Sequence, residues 1–364
     1  MTALLTERPR AASGAEDLLL DEDAWHHTVS RYARPSLWRT AFSLLTSVVP
    51  FIGCWALMYF ALDVSYLLTL ALALPTAGFL LRTYILFHDC AHGSLLPWPR
   101  ANAWLGSALA LISFTPFNRW RHEHLHHHAT AGNLDRRGVG DVPTLTVAEY
   151  QAQPLGARFW YRFFRNPFVM FGIGPVWAML AMPRFADKTA RPAIKRSVWR
   201  TNLAIIVSLG LLCWLLGWKE FLLVEAPLVP LAGGAGIWLF LVQHQFDETY
   251  WERSEDWNYA DAALRGSSYL KLPKVLQFFT GNIGFHHVHH LNPKIPNYNL
   301  PRAHDDTPVF ARVPKVSLWR GLRAVRLKLW DEGGDRLVSW ADIRNGRVVP
   351  ATVPVGSSPP PRVR

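Results

Sequence analysis

Eleven of the fifteen histidines in this 364-residue chain fall into three clusters: His88 with His92, the run from His122 to His128, and His286, His287, His289 and His290. Imidazole suits Fe, Zn, Cu or Ni, and each cluster sits beside a long apolar stretch. Eight or so ligand nitrogens are too many for one tetrahedral ion, so two metals is the economical reading. His88 and His92 are four apart and share one face of a helix. The pattern HxxHH sets His124, His127 and His128 together, and again His286, His289 and His290. His122, His126 and His287 are then extras. A histidine-rich polar surface is the bland alternative, and the repeated pattern argues against it. His244 follows the last apolar stretch and is a ninth candidate; otherwise it is an interfacial histidine without a metal. Asp89, Glu123, Asp135, Asp141 and Asp247 lie close by in sequence. Each can orient an imidazole by accepting its other N–H, or is a solvated charge.

The elements that position these clusters are apolar helices. Half the residues are hydrophobic yet 18% are charged, so apolar blocks must alternate with polar ones. A bilayer core of about 30 Å takes ~20 apolar residues as a helix. Residues 41–62, 64–87, 199–218 and 221–243 supply four such spans. The shorter stretches 101–117 and 167–183, broken by Pro116 or by Gly172, Gly174 and Pro175, read as re-entrant, interfacial or buried segments. Four crossings return the chain to its starting face at His88 and again at His244, which puts every cluster on one side. Arg31, Arg34, Arg39, Arg191, Lys195, Arg196 and Arg200 flank the spans on that side, against Asp63, Lys219 and Glu220 opposite. The positive-inside rule makes the cluster face cytoplasmic. The fold class is therefore all-α integral membrane: four transmembrane helices, re-entrant or interfacial helices, and a cytoplasmic helical cap holding a di-metal site.

The remaining features organise the chain around that unit. Residues 1–34 read as a cytoplasmic N-terminal arm without a secretory signal, since Leu18 to Leu20 is too short an apolar run. Residues 35–330 form one domain and 331–364 a C-terminal tail, disordered from 351 onwards. The segment 319–330 alternates basic and apolar residues and reads as an amphipathic helix, on the membrane surface or in a soluble cap. Cys54, Cys90 and Cys213 are scattered, with no CxxC and no disulfide framework. The net charge of +11 suits anionic headgroups or an acidic protein partner. Basic residues bordering apolar spans do not make a nucleic-acid module.

Four motifs carry a resemblance. HDCAHGS at 88–94, WRHEHLHHHAT at 120–130, NLDRRGVGDV at 133–142 and GNIGFHHVHHLNP at 281–293 resemble the membrane fatty acid desaturases, and within them the bacterial acyl-lipid Δ12 (omega-6) branch. The likeness covers approximately residues 35–330. It implies a non-haem di-iron oxidoreductase of lipid metabolism with ligands at His88, His92, His124, His127, His128, His286, His289 and His290, and His244 as the ninth. The implied reaction uses O2 to remove two hydrogens from adjacent methylenes of an acyl chain, lipid-linked or thioester-linked, leaving a cis double bond and water. Two electrons must come from outside. No HPGG stretch for a fused haem module is present, so the resemblance implies a separate ferredoxin or cytochrome b5-like donor. Its expected location is a bacterial inner membrane. Trp55, Tyr59, Phe60, Trp214 and Trp238 are candidates to line the acyl pocket.

Three rivals differ in what they would need. A di-iron fatty acid hydroxylase, or a carotenoid ketolase or hydroxylase, on the same scaffold would insert oxygen instead of forming an alkene. A membrane zinc hydrolase needs fewer ligands and a carboxylate base. A metal transporter would carry ionisable residues inside its spans, where here only Arg82 and Glu225 occur, each near a span end.

Overall fold

The computed structural model of the chain describes residues 27–348. Most of the N-terminal arm and the tail from 351 lie outside the described residues. Among the described residues, four helices are long and apolar enough to cross a membrane: α1 (Leu37–Ala61), α2 (Tyr66–His92), α7 (Pro192–Leu216) and α8 (Trp218–His244). Each covers most of one expected span: α8 contains 221–243 whole, whereas α1 stops at Ala61, α2 begins at Tyr66 and α7 stops at Leu216, one or two residues inside the expected bounds. Pro50, Pro75, Pro227 and Pro230 lie within these helices without ending them. Neighbouring helices can satisfy the carbonyls that such prolines free in a bilayer. The chain is a membrane protein.

The shorter stretches behave differently. Helix α3 (Pro99–Ile112) has 14 residues, about 21 Å of rise, short of the hydrocarbon thickness. Helix α4 (Phe117–Thr130) follows it. After α5 (Val147–Ala152) and α6 (Leu155–Phe164), residues Val169–Arg184 run as π, α and 3-10 turns bent 61° from α6. That geometry is a broken span or a re-entrant loop.

Beyond α8 the chain builds a cap from short elements: α9 (Tyr259–Leu264), α10 (Lys274–Phe279), α11 (His286–Leu291) and α12 (Leu300–Asp305). Strand β1 (Tyr269–Lys271) pairs in parallel with β2 (Lys315–Ser317), Leu270 opposite Val316. Leu239 and Val242 of α8 pack with Phe246, Trp251, Leu270, Ile283, Val316 and Trp330, so the apolar core runs unbroken from the membrane helix into the cap.

The segment 319–330 corrects one expectation. Only Leu318–Ala324 is helical (α13); residues Leu327–Asp331 form β3, which pairs antiparallel with β4 (Arg336–Ser339). All five residues of β3 are buried. Alternation of basic and apolar residues fits a strand of period two as well as a helix, and burial between Trp251, Tyr161 and the Val338 side decides for the strand. The chain also stays folded past residue 330: β4 and α14 (Trp340–Arg344) follow, the latter capped by Ser339 and Asp342. The part of the expected tail up to residue 348 thus belongs to the cap. Leu322 and Leu329, seven apart, would share one face of a continuous helix, but here Leu322 is 51% exposed and Leu329 fully buried. Leu329→Ala is expected to destabilise the protein by about 2–5 kcal/mol, and Leu322→Ala by less than about 0.5 kcal/mol. Urea unfolding in detergent measures both, and two equally small effects would restore the surface helix.

Candidate metal centre

The site forms where two membrane helices end and two cap helices meet them. His88 and His92 occupy the last turns of α2, which stops at Gly93 with φ +65° and its N–H returned to the Asp89 and Cys90 carbonyls. Glycine enters this left-handed conformation without a Cβ penalty, so the helix terminates directly behind His92. His244 is the last residue of α8. Helix α4 turns His124, His127 and His128 inward and leaves His122 exposed and His126 half-buried. Helix α11 buries His286, His289 and His290.

All nine candidate histidines are buried, and they converge in two groups. His88, His92, His124, His128 and His289 make one; His127, His244, His286 and His290 make the other, and within each the offered nitrogens lie within 4.8 Å of one another. Nε2 of His128 stands 3.2 Å from that of His124 and 3.0 Å from that of His289. Nε2 of His244 stands 3.1 Å from that of His127 and 2.9 Å from that of His286. The His128 and His290 rings stack at 4.1 Å, so the groups share a wall.

This arrangement fits metal ions. A neutral imidazole has one N–H and one lone pair, so Nε2 of His128 or His244 cannot satisfy both of its neighbours. Both ring nitrogens of His92, Nε2 of His290, and Nδ1 of His128, His286 and His289 have no hydrogen-bond partner. Each buried polar atom left so costs about 1–3 kcal/mol; a cation would relieve that cost at the nitrogen a ring turns to it, as at Nε2 of His290, but not at an Nδ1 on the far side of a ring whose Nε2 faces the ion. Burial, with the neighbouring imidazoles adding to it, holds His124, His128, His286, His289 and His290 far below the usual histidine range. They stay neutral at pH 7, with lone pairs free to ligate.

A second layer orients the rings. Asp89 faces Nδ1 of His88 at 3.3 Å through one oxygen and accepts the backbone and side-chain N–H of Asn297, both at 2.8 Å, through the other. Asp141 contacts Nδ1 of His127. It can do so because Gly140, at φ +74°, lies so close to α4 that a Cβ would stand 2.8 Å from the Glu123 carbonyl oxygen. His244 places Nδ1 3.2 Å from the Gly266 carbonyl. An acceptor at Nδ1 fixes the proton there and turns the Nε2 lone pair inward. The other three carboxylates do not touch the rings: Glu123 pairs with Arg119, Asp135 with Arg253 and Asp247 with Arg320.

Some placements had no counterpart in the sequence reading. His287 lies outside both groups, its Nε2 2.9 Å from Nδ1 of His304, and Asn297 clamps Asp89; only a pairing across the cap reveals either. Among the suggested pocket residues, Phe60 and Trp214 point outward at 65% and 79% exposure. Trp55 donates to Glu225 and Tyr59 to the Leu216 carbonyl, while Trp238 donates to Gly321; all three brace helix contacts. Asp141→Asn is expected to weaken metal retention about 10–100-fold, whereas Asp247→Asn leaves it unchanged. Metal per chain after dialysis against a chelator reads this, and equal retention in both variants would remove Asp141 from the site.

The comparisons with known proteins agree with this geometry. The family model described as fatty acid desaturase matches residues 64–319. A fatty acid desaturase of Bacillus subtilis (strain 168) is 44% identical over 336 residues, covering 92% of this chain and 95% of that protein. An sn-1 oleoyl-lipid 12-desaturase of Synechocystis sp. is 25% identical, covering 82% of each chain. From the same source, an sn-1 acyl-lipid omega-3 desaturase (ferredoxin) is 29% identical, over 60% of this chain and 62% of its own length. With most of its length inside the family match and a relative at 44% identity covered almost end to end, the chain belongs to the fatty acid desaturase family and is an oxidoreductase enzyme.

Proposed function

We propose that this protein is an O2-dependent acyl desaturase whose two histidine groups hold two iron ions and which sets a cis double bond into a lipid-linked or thioester-linked fatty acyl chain. The observation that carries the reading is the pair of buried, abutting, all-imidazole groups. When bound, the iron pair supplies the O2-activating redox chemistry needed at an unactivated C–H bond, which no side chain can supply. The ligands would be His88, His92, His124, His128 and His289 for one ion, and His127, His244, His286 and His290 for the other. The chain's own contribution is dryness and orientation. Burial keeps His124, His128, His286, His289 and His290 neutral, and Asp89, Asp141 and the Gly266 carbonyl face Nδ1 of His88, His127 and His244 and orient those rings. Trp120 stacks on His124 at 4.3 Å and Phe240 lies 4.9 Å from His127, closing the ring faces to water.

The activities for which the two Synechocystis relatives are named support an acyl-lipid substrate, with Δ12 (omega-6) the proposed position. The ferredoxin in one of those names supports a ferredoxin-like donor; a cytochrome b5-like protein would serve the same need. The cluster side is proposed to face the cytoplasm of a bacterial inner membrane, as the basic flanks favour. A bacterium expressing the chain with such a donor is expected to gain a new cis-unsaturated acid, and one expressing His289→Ala to gain none while retaining the protein in its membranes. Chromatography with double-bond location reads both. A hydroxylated lipid without a new alkene would instead establish the hydroxylase reading, and zinc in place of about two iron ions per chain would overturn the di-iron assignment.

A further inference from the structure

Arg82 lies in the second half of α2, 8% exposed, and is permanently charged. Its guanidinium donates to the Phe278 carbonyl and lies 4.0 Å from the Phe278 ring centre. Its Nε has no acceptor, and no carboxylate among the described residues is within ion-pair distance of it. A buried, unpaired cation in a membrane helix marks a functional site, and here two cavities meet at it. One, of about 350 Å³, adds Tyr269, Lys274, Gln277 and Asp305 to its walls. The other, of about 280 Å³, adds Trp38, Arg39, Phe42 and Tyr298. Arg82 and Asn282 line both.

The chemistry of these walls is anion recognition at a membrane surface. Three cations, Arg39, Arg82 and Lys274, face the space against one carboxylate, Asp305. Arg39 is fixed by Asn299 and by the Tyr298 carbonyl, whereas Arg82 still has an N–H to give. Trp38 and Phe42 are 74% and 55% exposed at the start of α1, the position of interfacial aromatic anchors. The floor also connects to the histidines. Asn282 donates to the Asn297 carbonyl at 3.2 Å, Asn297 donates twice to Asp89, and Asp89 faces His88. A group seated on Asn282 is thereby held in fixed register with the first histidine group.

We infer that the double cavity around Arg82 binds the phosphate of the acyl carrier, anchoring an anionic head group while the acyl chain extends towards the histidines. This rests on the acyl-desaturase reading, but its test needs no turnover. Full-length metal-loaded protein in neutral detergent is titrated with fluorescent phosphatidylglycerol, and unlabelled phosphatidylglycerol, diacylglycerol and inorganic phosphate compete. Phosphatidylglycerol is expected to compete at least tenfold better than diacylglycerol with the same acyl chains. Arg82→Gln is expected to abolish that preference and Arg82→Lys to retain most of it. Asp305→Asn, at an exposed position, is expected to tighten phosphatidylglycerol binding severalfold. Competition by millimolar inorganic phosphate would mean that the phosphate alone is read; competition by the phospholipid only would mean that the glycerol is read too. Equal competition by the two lipids, or a preference that survives Arg82→Gln, overturns the inference. Should Arg82→Gln fail to load metal, Asp305→Asn decides, and unchanged or weaker binding there overturns it. A chain that makes no new double bond yet prefers the anionic lipid would refute the activity and leave this site standing.

Discussion

Nine buried imidazoles held out of water with their ring nitrogens turned on one another are the constraint on which the rest of this structure depends. Nitrogens such as Nε2 of His244, 3.1 Å and 2.9 Å from two others, gain little from each other and have lost their water. Burying such a nitrogen without a full partner costs about 1–3 kcal/mol, and apolar packing around the site offsets that cost. Leu86, Phe87, Leu95 and Phe117 pack beside His88 and His92, and Val288 and Leu291 are buried in the helix that carries His286, His289 and His290. A metal ion held by these rings would couple its binding to folding.

Holding the rings still falls to a few polar contacts, because apolar packing alone does not orient an imidazole. Asp89 illustrates this: a buried carboxylate is costly unless hydrogen-bonded, and Asn297 supplies two N–H groups to one oxygen while the other faces His88. Arg165 does comparable work on the opposite flank. Fully buried, it bonds Gln245, the neighbour of His244, and the Leu327 carbonyl of β3. Gln245 in turn donates to Thr144, three residues after Asp141. The loop that delivers Asp141 and the end of α8 that delivers His244 are thus tied through one guanidinium. The exposed bridge of Arg253 to Asp135 and Glu332 contributes little to stability, and aligns the cap with the 133–142 loop.

How much of this was legible in the sequence follows from how far each signal reaches. The pairing of His88 with His92 depends on helical spacing and was visible, as were the four apolar spans. The register of the middle run was ambiguous locally, since His122 and His126 are also four apart. Only the packing of α4 against α2 and α11 turns His124, His127 and His128 inward. Sequence could nominate five carboxylates but not choose among them, because the choice depends on the bend that Gly140 permits and on Asn297, 208 residues from Asp89. The stretch 319–330 failed for a related reason. Its alternation satisfied two periods at once, and burial against distant residues, which no local pattern encodes, settled which one it adopts.

The membrane helices divide the same labour unequally. In their most apolar windows α2 is 56% buried and α8 33%, against 22% for α1 and 11% for α7. The two better-buried helices are those that end in His92 and His244. A histidine at a helix end inherits the positional precision of that helix, so ligands belong on the helices gripped by neighbours. Helices α1 and α7 expose leucine, isoleucine and tryptophan along their lengths, where fluid lipid demands only that a surface be apolar. Rigidity is therefore concentrated in α2 and α8 and handed on through Gly93 and Gln245 to the cap. The lipid-facing helices close the bundle around that pair, and α7 also packs on α4, the helix that carries His124, His127 and His128.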